Sequence, residues 1–222
     1  MSKQKIKREL YKNYYPVPND IFDIGLNPSE IVLYALFIKF DKMNHGFCCT
    51  DFLTIKGHIS LSDKTIKKYI SSLENKRIIK IESTKDGMKV SFNKRDMNKN
   101  YFLLPNEVFF MELSSGEIAV YAFLLKCEDK KTYQCYPSYR TIGNNIGASI
   151  NSVKKYVEAL ERKNLISTES TSIMRRDFLK LNGNLLYTIN PIVDAYNDFW
   201  DKKSAAIKRA TLIKKHFPNH KK

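Results

Sequence analysis

Lys154 and Lys155 stand side by side, and so do Lys67 and Lys68, 87 positions earlier. An ammonium on a long flexible stem is a point charge that suits phosphate oxygens, a contact that holds a protein in register on a nucleic acid without reading its sequence. The residues one turn before each pair are of another kind. They are Ser149, Ile150, Asn151 and Ser152 in the later stretch, and Asp63, Lys64 and Thr65 in the earlier one. Asn can bond bidentately to adenine, Ser and Thr can serve several bases, and Ile can touch a thymine methyl. Ser149 and its counterpart Ser62 also suit the N-cap of a helix.

No other group of residues has the spacing that chemistry needs. His45, His58, His216 and His220 are scattered, without metalloprotease-like spacing, and the chain has no Gly-rich phosphate loop. Glu128 and Asp129 sit beside lysines and read as surface. Cys48, Cys49, Cys127 and Cys135 form no Cys-x-x-Cys pair and precede no His at finger-like spacing, so they are expected to be buried free thiols. The expectation is a protein with no catalytic residues, no metal and no cofactor, and hence not an enzyme.

Charge points the same way as the lysine pairs. The 222 residues carry 38 Lys and Arg against 23 Asp and Glu, a net charge of +15. Self-repulsion of that size favours a polyanionic partner, against the plainer reading of a generally lysine-rich composition. An acidic membrane surface is disfavoured, since no helix sets a basic face against a strong Trp/Phe/Leu face. The opening MSKQKIKREL is too charged for a signal peptide, and no apolar run is long enough for a bilayer, so a cytoplasmic location is expected.

The elements that must position these residues come as an internal repeat. PNDIF at Pro18 recurs as PNEVF at Pro105, an offset of 87 that holds without a gap. Leu26, Glu30, Tyr34, Ala35 and Lys39 meet Leu113, Glu117, Tyr121, Ala122 and Lys126. Further on, Lys67, Lys68, Tyr69, Leu73, Glu74, Lys76 and Ile79 meet Lys154, Lys155, Tyr156, Leu160, Glu161, Lys163 and Ile166. In each copy a first helix opens with a capping residue three positions before Glu, Asn27 to Glu30 and Ser114 to Glu117. The runs IVLYALFIKF and IAVYAFLLKC are apolar nearly all round, which makes this helix central and buried. Asp51 or Ser138 caps a second helix, and Ser62 or Ser149 caps a third. The inward stripe of the third helix is Ile66, Tyr69, Ile70 and Leu73, or Val153, Tyr156, Val157 and Leu160, leaving the lysines and first-turn residues outside.

A hairpin should follow each third helix. RIIKIES leads to a turn at Lys85-Asp86-Gly87, and NLISTES leads to one at Asn182-Gly183. Tyr101 to Pro105 and Tyr187 to Pro191 read as the returning strands, which makes the two hairpins differ by one residue. Lys85 and Lys89 in the first wing, and Arg175, Arg176 and Lys180 in the second, are candidates for backbone contact, with Lys94 and Arg95 at the junction. A basic arm (Lys3, Lys5, Lys7, Arg8, Lys12) precedes the copies. A C-terminal helix follows them, with Val193, Tyr196, Phe199 and Trp200 on one side, running on into Lys202, Lys203, Lys208, Arg209, Lys214 and Lys215. Its aromatic side caps the second copy or docks a partner chain.

The predicted fold is therefore mainly α with small β-hairpins, as tandem duplicated winged helix-turn-helix domains. The expected boundaries are a basic arm over 1–13, domains over 14–100 and 101–190, and a C-terminal helix and tail over 191–222. GEIAVYAFLLKCEDKKTYQCYPSYRTIGNNIGASINSVKKYVEALERKNLI, with LLYTINPI beyond it, resembles helix-turn-helix proteins of Gram-positive plasmids and integrative elements. The fold is similar to the N-terminal winged helices of plasmid replication initiators and primosomal replication proteins. The resemblance implies double-stranded DNA as partner, with host replication or transcription proteins as further ones, in a protein associated with the nucleoid or a plasmid. It leaves open a transcriptional regulator or replication accessory factor and, as the alternative, a replication initiator on origin repeats. A protein-interaction scaffold is the reading from another class, and it requires no concentration of basic charge on the third helices. The repeat allows either a monomer that acts as a pseudo-dimer or a homodimer.

Overall fold

A computed structural model describes residues 13–44, 48–85, 87–93, 100–174 and 180–216. The basic arm, His45, Asp86, Lys94, Arg95, Arg175, Arg176 and His220 lie outside them. The order of elements runs through the same series twice. The N-terminal half holds β1 (Tyr14–Pro18), a 3-10 helix (Asn19–Phe22), α1 (Pro28–Met43), β2 (Cys48–Thr50), α2 (Phe52–Lys56), α3 (Asp63–Asn75), β3 (Ile79–Thr84) and β4 (Gly87–Phe92). The C-terminal half holds β5 (Tyr101–Pro105), a 3-10 helix (Asn106–Phe110), α4 (Ser115–Cys127), β6 (Gln134–Cys135), α5 (Tyr139–Ile146), α6 (Ile150–Arg162), β7 (Ile166–Met174) and β8 (Lys180–Ile189). The helix α7 (Ile192–His216) is the last element among the described residues. Among the described residues no helix is long and apolar enough to cross a membrane.

The first helices start where the capping spacing puts them. Asn27 Oδ1 accepts the N–H groups of Ser29 and Glu30, and Glu30 returns a carboxylate to the Asn27 N–H at 2.9 Å. Ser114 and Glu117 close the same reciprocal box at the start of α4. Every residue from Glu30 to Phe40 and from Gly116 to Leu125 is buried, because α1 and α4 pack against each other as well as against their own halves. One apolar core runs through both halves.

The strands depart from the expected pattern in three ways. First, each wing is a three-stranded antiparallel sheet, β2-β4-β3 and β6-β8-β7, because short strands after the central helices add an edge. Secondly, Tyr101–Pro105 is no wing strand. As β5 it pairs antiparallel with β1, and the strand that returns against β3 is β4. The wings therefore differ by far more than one residue: the paired ends Ile79 and Phe92 are 13 positions apart, and Ile166 and Ile189 are 23 apart. Thirdly, Asn182 and Gly183 lie inside β8, Asn182 facing Ser172 beside a register shift. Glycine inside a strand marks a bulge or a close approach as readily as a turn, and here a Cβ on Gly183 would collide with Thr171 Oγ1.

Among the described side chains of α7, Ile192 and Ala195 are buried, and Tyr196 and Phe199 pack on the core. Val193 and Trp200 face outward, 55% and 40% exposed. The helical rows at three and four residues run through 192, 195, 196 and 199, which turns the expected Val193 and Trp200 away. Asn164 to Asp198 and Lys203 to Glu112 (2.5 Å) tie the first half of this helix to the C-terminal half of the molecule.

Candidate nucleic-acid interface

The segment from α5 to α6 is built around a tight glycine turn. Ser138 caps α5 by accepting the Thr141 N–H at 3.0 Å. The helix stops at Gly147, whose left-handed backbone (φ 65°) lets its N–H donate to the Gly143 carbonyl. The Ala148 N–H donates to the same carbonyl at 2.9 Å. A side chain at Gly143 would run into the Ala148 carbonyl, so α6 can begin this close only because that side chain is missing. Ser149 then caps α6 by accepting the Ser152 N–H at 3.1 Å.

Val153, Val157 and Leu160 hold α6 to the core, and Tyr156 lies so close to Gly116 of α4 that no Cβ fits between them. The face left outside carries Ile150 (47% exposed), Asn151, Lys154 and Lys155. Ser149 is exposed and Ser152 half-buried, with their hydroxyls 2.9 Å apart. Those two hydroxyls serve the cap, so the polar side chain of this turn that is free of it is Asn151.

The N-terminal half presents α3 in the same way with different chemistry. Ser62 accepts the Thr65 N–H at 3.2 Å, and the Thr65 and Ser62 hydroxyls meet at 2.8 Å, as at the other cap. Ile66, Ile70 and Leu73 face inward, while Asp63, Lys64, Lys67 and Lys68 are exposed. Asp63 is paired with Lys56 of α2 at 3.0 Å. Lys67 leans over the Phe52 ring at 5.4 Å, and Lys68 over Tyr69 at 5.9 Å.

Sequence reasoning missed what fixes these helices to their halves. Lys163, at the end of α6, bonds Glu117 of α4 at 2.7 Å and the Glu112 carbonyl at 3.2 Å. Lys76, at the end of α3, bonds Glu30 of α1 at 2.8 Å and the Gly25 carbonyl at 3.1 Å. Burial pushes both carboxyls up, but the bonds from lysine, from a hydroxyl and from the cap N–H together outweigh it and hold them below the ordinary carboxylate range. Glu74 and Glu161 accept the N–H groups of Ile81 and Thr168, which ties each helix to its wing. The signal was present, because each of these charged residues recurs at the repeat offset while its surroundings vary.

The wing cations are placed unevenly. Lys85 is exposed at the tip of the first hairpin, and Lys89 is half-buried with Glu82 at 4.0 Å. Lys180 opens β8. Arg140, passed over by sequence reasoning, is exposed in the first turn of α5, where α2 has Leu53 at 79% exposure. The thiols divide by strand alternation and position: Cys48 and Cys135 face the core, where burial pushes each up to about 12, and Cys49 and Cys127 are exposed. The expected burial therefore holds for two of them.

The model of a family described as a helix-turn-helix domain matches residues 111–166, from before α4 to the start of β7. None of the curated proteins compared matches the chain. The C-terminal half thus contains a helix-turn-helix domain, with α5 and α6 as its two characteristic helices, and a module of this kind points to DNA as the partner.

Proposed function

We propose that the chain is a sequence-specific double-stranded DNA-binding protein made of tandem duplicated winged helix-turn-helix domains, residues 14–100 and 101–190. The arm 1–13 and the helix and tail 191–222 flank them. It works without catalysis or cofactor, in the cytoplasm, as a transcriptional regulator or replication accessory factor of a mobile element; the mobile-element part rests on the resemblance in sequence. One observation carries the DNA reading. The exposed pair Lys154-Lys155 on α6, inside the matched domain, has its double in Lys67-Lys68 on an equally capped α3.

The lysine pairs hold phosphates, and the first turns read bases. Asn151 suits adenine, Ile150 a thymine methyl, Asp63 a cytosine amino group and Lys64 a guanine edge. Arg140, Lys85, Lys180 and the arginines Arg175 and Arg176 supply further backbone contacts. The test is the salt dependence of binding to a mixed-sequence duplex. The chain should show a steep log–log slope, and replacing Lys67, Lys68, Lys154 and Lys155 by Ala should flatten it by about 0.9 for each phosphate that is no longer neutralised. An unchanged slope would remove the phosphate role from these lysines and the reading with it.

A further inference from the structure

The residues that join the two halves touch in reciprocal pairs. In the β1–β5 ladder Pro16 faces Leu103, its own counterpart at the offset of 87. Tyr15 faces Leu104 and Val17 faces Phe102, and each of these pairs turns into the other when every residue is exchanged for its counterpart. The ends of the ladder follow suit: the Asn19 N–H donates to the Asn100 carbonyl at 3.0 Å, and the Asn106 N–H donates to the Asn13 carbonyl at 2.8 Å. So do the ring contacts, with Lys39 Nζ 5.0 Å from the centre of Phe109 and Lys126 Nζ 5.2 Å from that of Phe22. The counterparts α1 and α4 pack on each other. A head-to-tail repeat makes a contact without its return, whereas a two-fold axis reciprocates each one. The axis passes between Pro16 and Leu103, and it is approximate. Lys126 reaches Asp23 at 3.8 Å, where Lys39 meets Phe110, the counterpart of Asp23, at 4.6 Å.

The same Glu–Lys pair fastens α3 to α1 and α6 to α4, so this axis also relates α3 to α6. We infer that one chain reads an imperfect inverted repeat, with α3 on one arm and α6 on the other in opposite polarity, and that a single chain fills the site. The inference rests on the DNA reading above and deepens it. Two helices related by a two-fold axis that enter one duplex meet arms of opposite direction, just as dimeric helix-turn-helix proteins mirror palindromic sites. Adjacent arms then lie about 10 base pairs apart, centre to centre. The edges that two separate chains would pair, β1 and β5, are already joined within one. The unlike first turns of α3 and α6 make the repeat imperfect and fix the orientation of the chain on it.

The experiment is selection of bound duplexes by the full chain, followed by titration of synthetic duplexes carrying the selected arms inverted or direct at one spacing. The inverted duplex should bind at least about tenfold tighter, with one chain per duplex by native mass spectrometry. Equal or tighter binding of direct arms, or two chains on an inverted site, overturns the inference and leaves DNA binding standing. Absence of salt-sensitive binding to any duplex overturns both. A second arm uses the triple substitution Asp63→Ile, Lys64→Asn, Thr65→Ser, which gives α3 the first turn of α6. Selection with this variant should return a perfect palindrome, and a perfect direct repeat refutes the inference.

Discussion

Asn151 and Lys154 share one exposed face of α6, and on the proposed function they would do different work on DNA. The amide offers a donor and an acceptor in fixed geometry, while the ammonium offers a charge with freely rotating donors and no acceptor. Replacing Asn151 by Ala should therefore cost about 1–3 kcal/mol of discrimination at one base position and leave binding to random duplex unchanged. Competition titrations against single-base variants of the selected site read both quantities, and a uniform loss across sequences would place Asn151 on the backbone instead. Asp63 suits the first turn of α3, where free N–H groups favour an anion, and it is also paired with Lys56. Its charge is balanced locally, so the turn does not repel the phosphates that Lys67 and Lys68 would approach.

At the scale of elements, the Glu117–Lys163 bond ties the end of α6 to the start of α4. Glu117 also completes the cap of α4, so Glu117→Ala removes a buried charge partner and an N-terminal acceptor together. The expected loss is about 2 kcal/mol in urea unfolding at pH 7, a figure reduced for the partial exposure of Lys163. The sign with pH follows from the depressed carboxyl. Its contribution is fully present above the ordinary value of 4.5 and disappears as pH falls through the lower folded value, so the gap between wild type and Glu117→Ala should narrow in acid. A gap that is constant from pH 7 to pH 3 would show that the loss came from packing. The same substitution should also weaken DNA binding, since α6 loses its anchor.

At the scale of the whole molecule, the junction between halves buries Lys39, 3% exposed among Phe109 and Phe110. Desolvation lowers its pKa from 10.5 to about 8 against the attraction of Glu107. The folded chain therefore releases this proton well before the unfolded chain does, and between about pH 8 and 10.5 stability from this group rises with pH. Thermal unfolding of wild type should gain on Lys39→Met across that window, by up to about 3 kcal/mol. Comparison with the variant is needed because the raised thiols Cys48 and Cys135 act in the opposite direction at alkaline pH. Parallel profiles for the two proteins would mean that Lys39 is solvated in the folded chain.

What the sequence determined by itself is local. A cap needs an acceptor three residues from a free N–H, and an apolar stripe needs only the period of the helix, so the starts of α1, α3, α4, α5 and α6 and the outward place of both lysine pairs were legible. The regular offset of 87 likewise exposed Glu30, Glu74 and Lys76 as repeated, though not what they bond. Strand partners were decided only in three dimensions. An extended segment such as Tyr101–Pro105 offers the same N–H and C=O groups to any neighbour, and its likeness to Tyr187–Pro191 misled because ladder bonds do not depend on side-chain identity. Packing across the whole chain chose β1 for it. That choice created the two-fold junction and so fixed how α3 and α6 are disposed toward each other, while the outward place of Val193 and Trp200 and the longer second wing were settled by packing and pairing elsewhere in the chain.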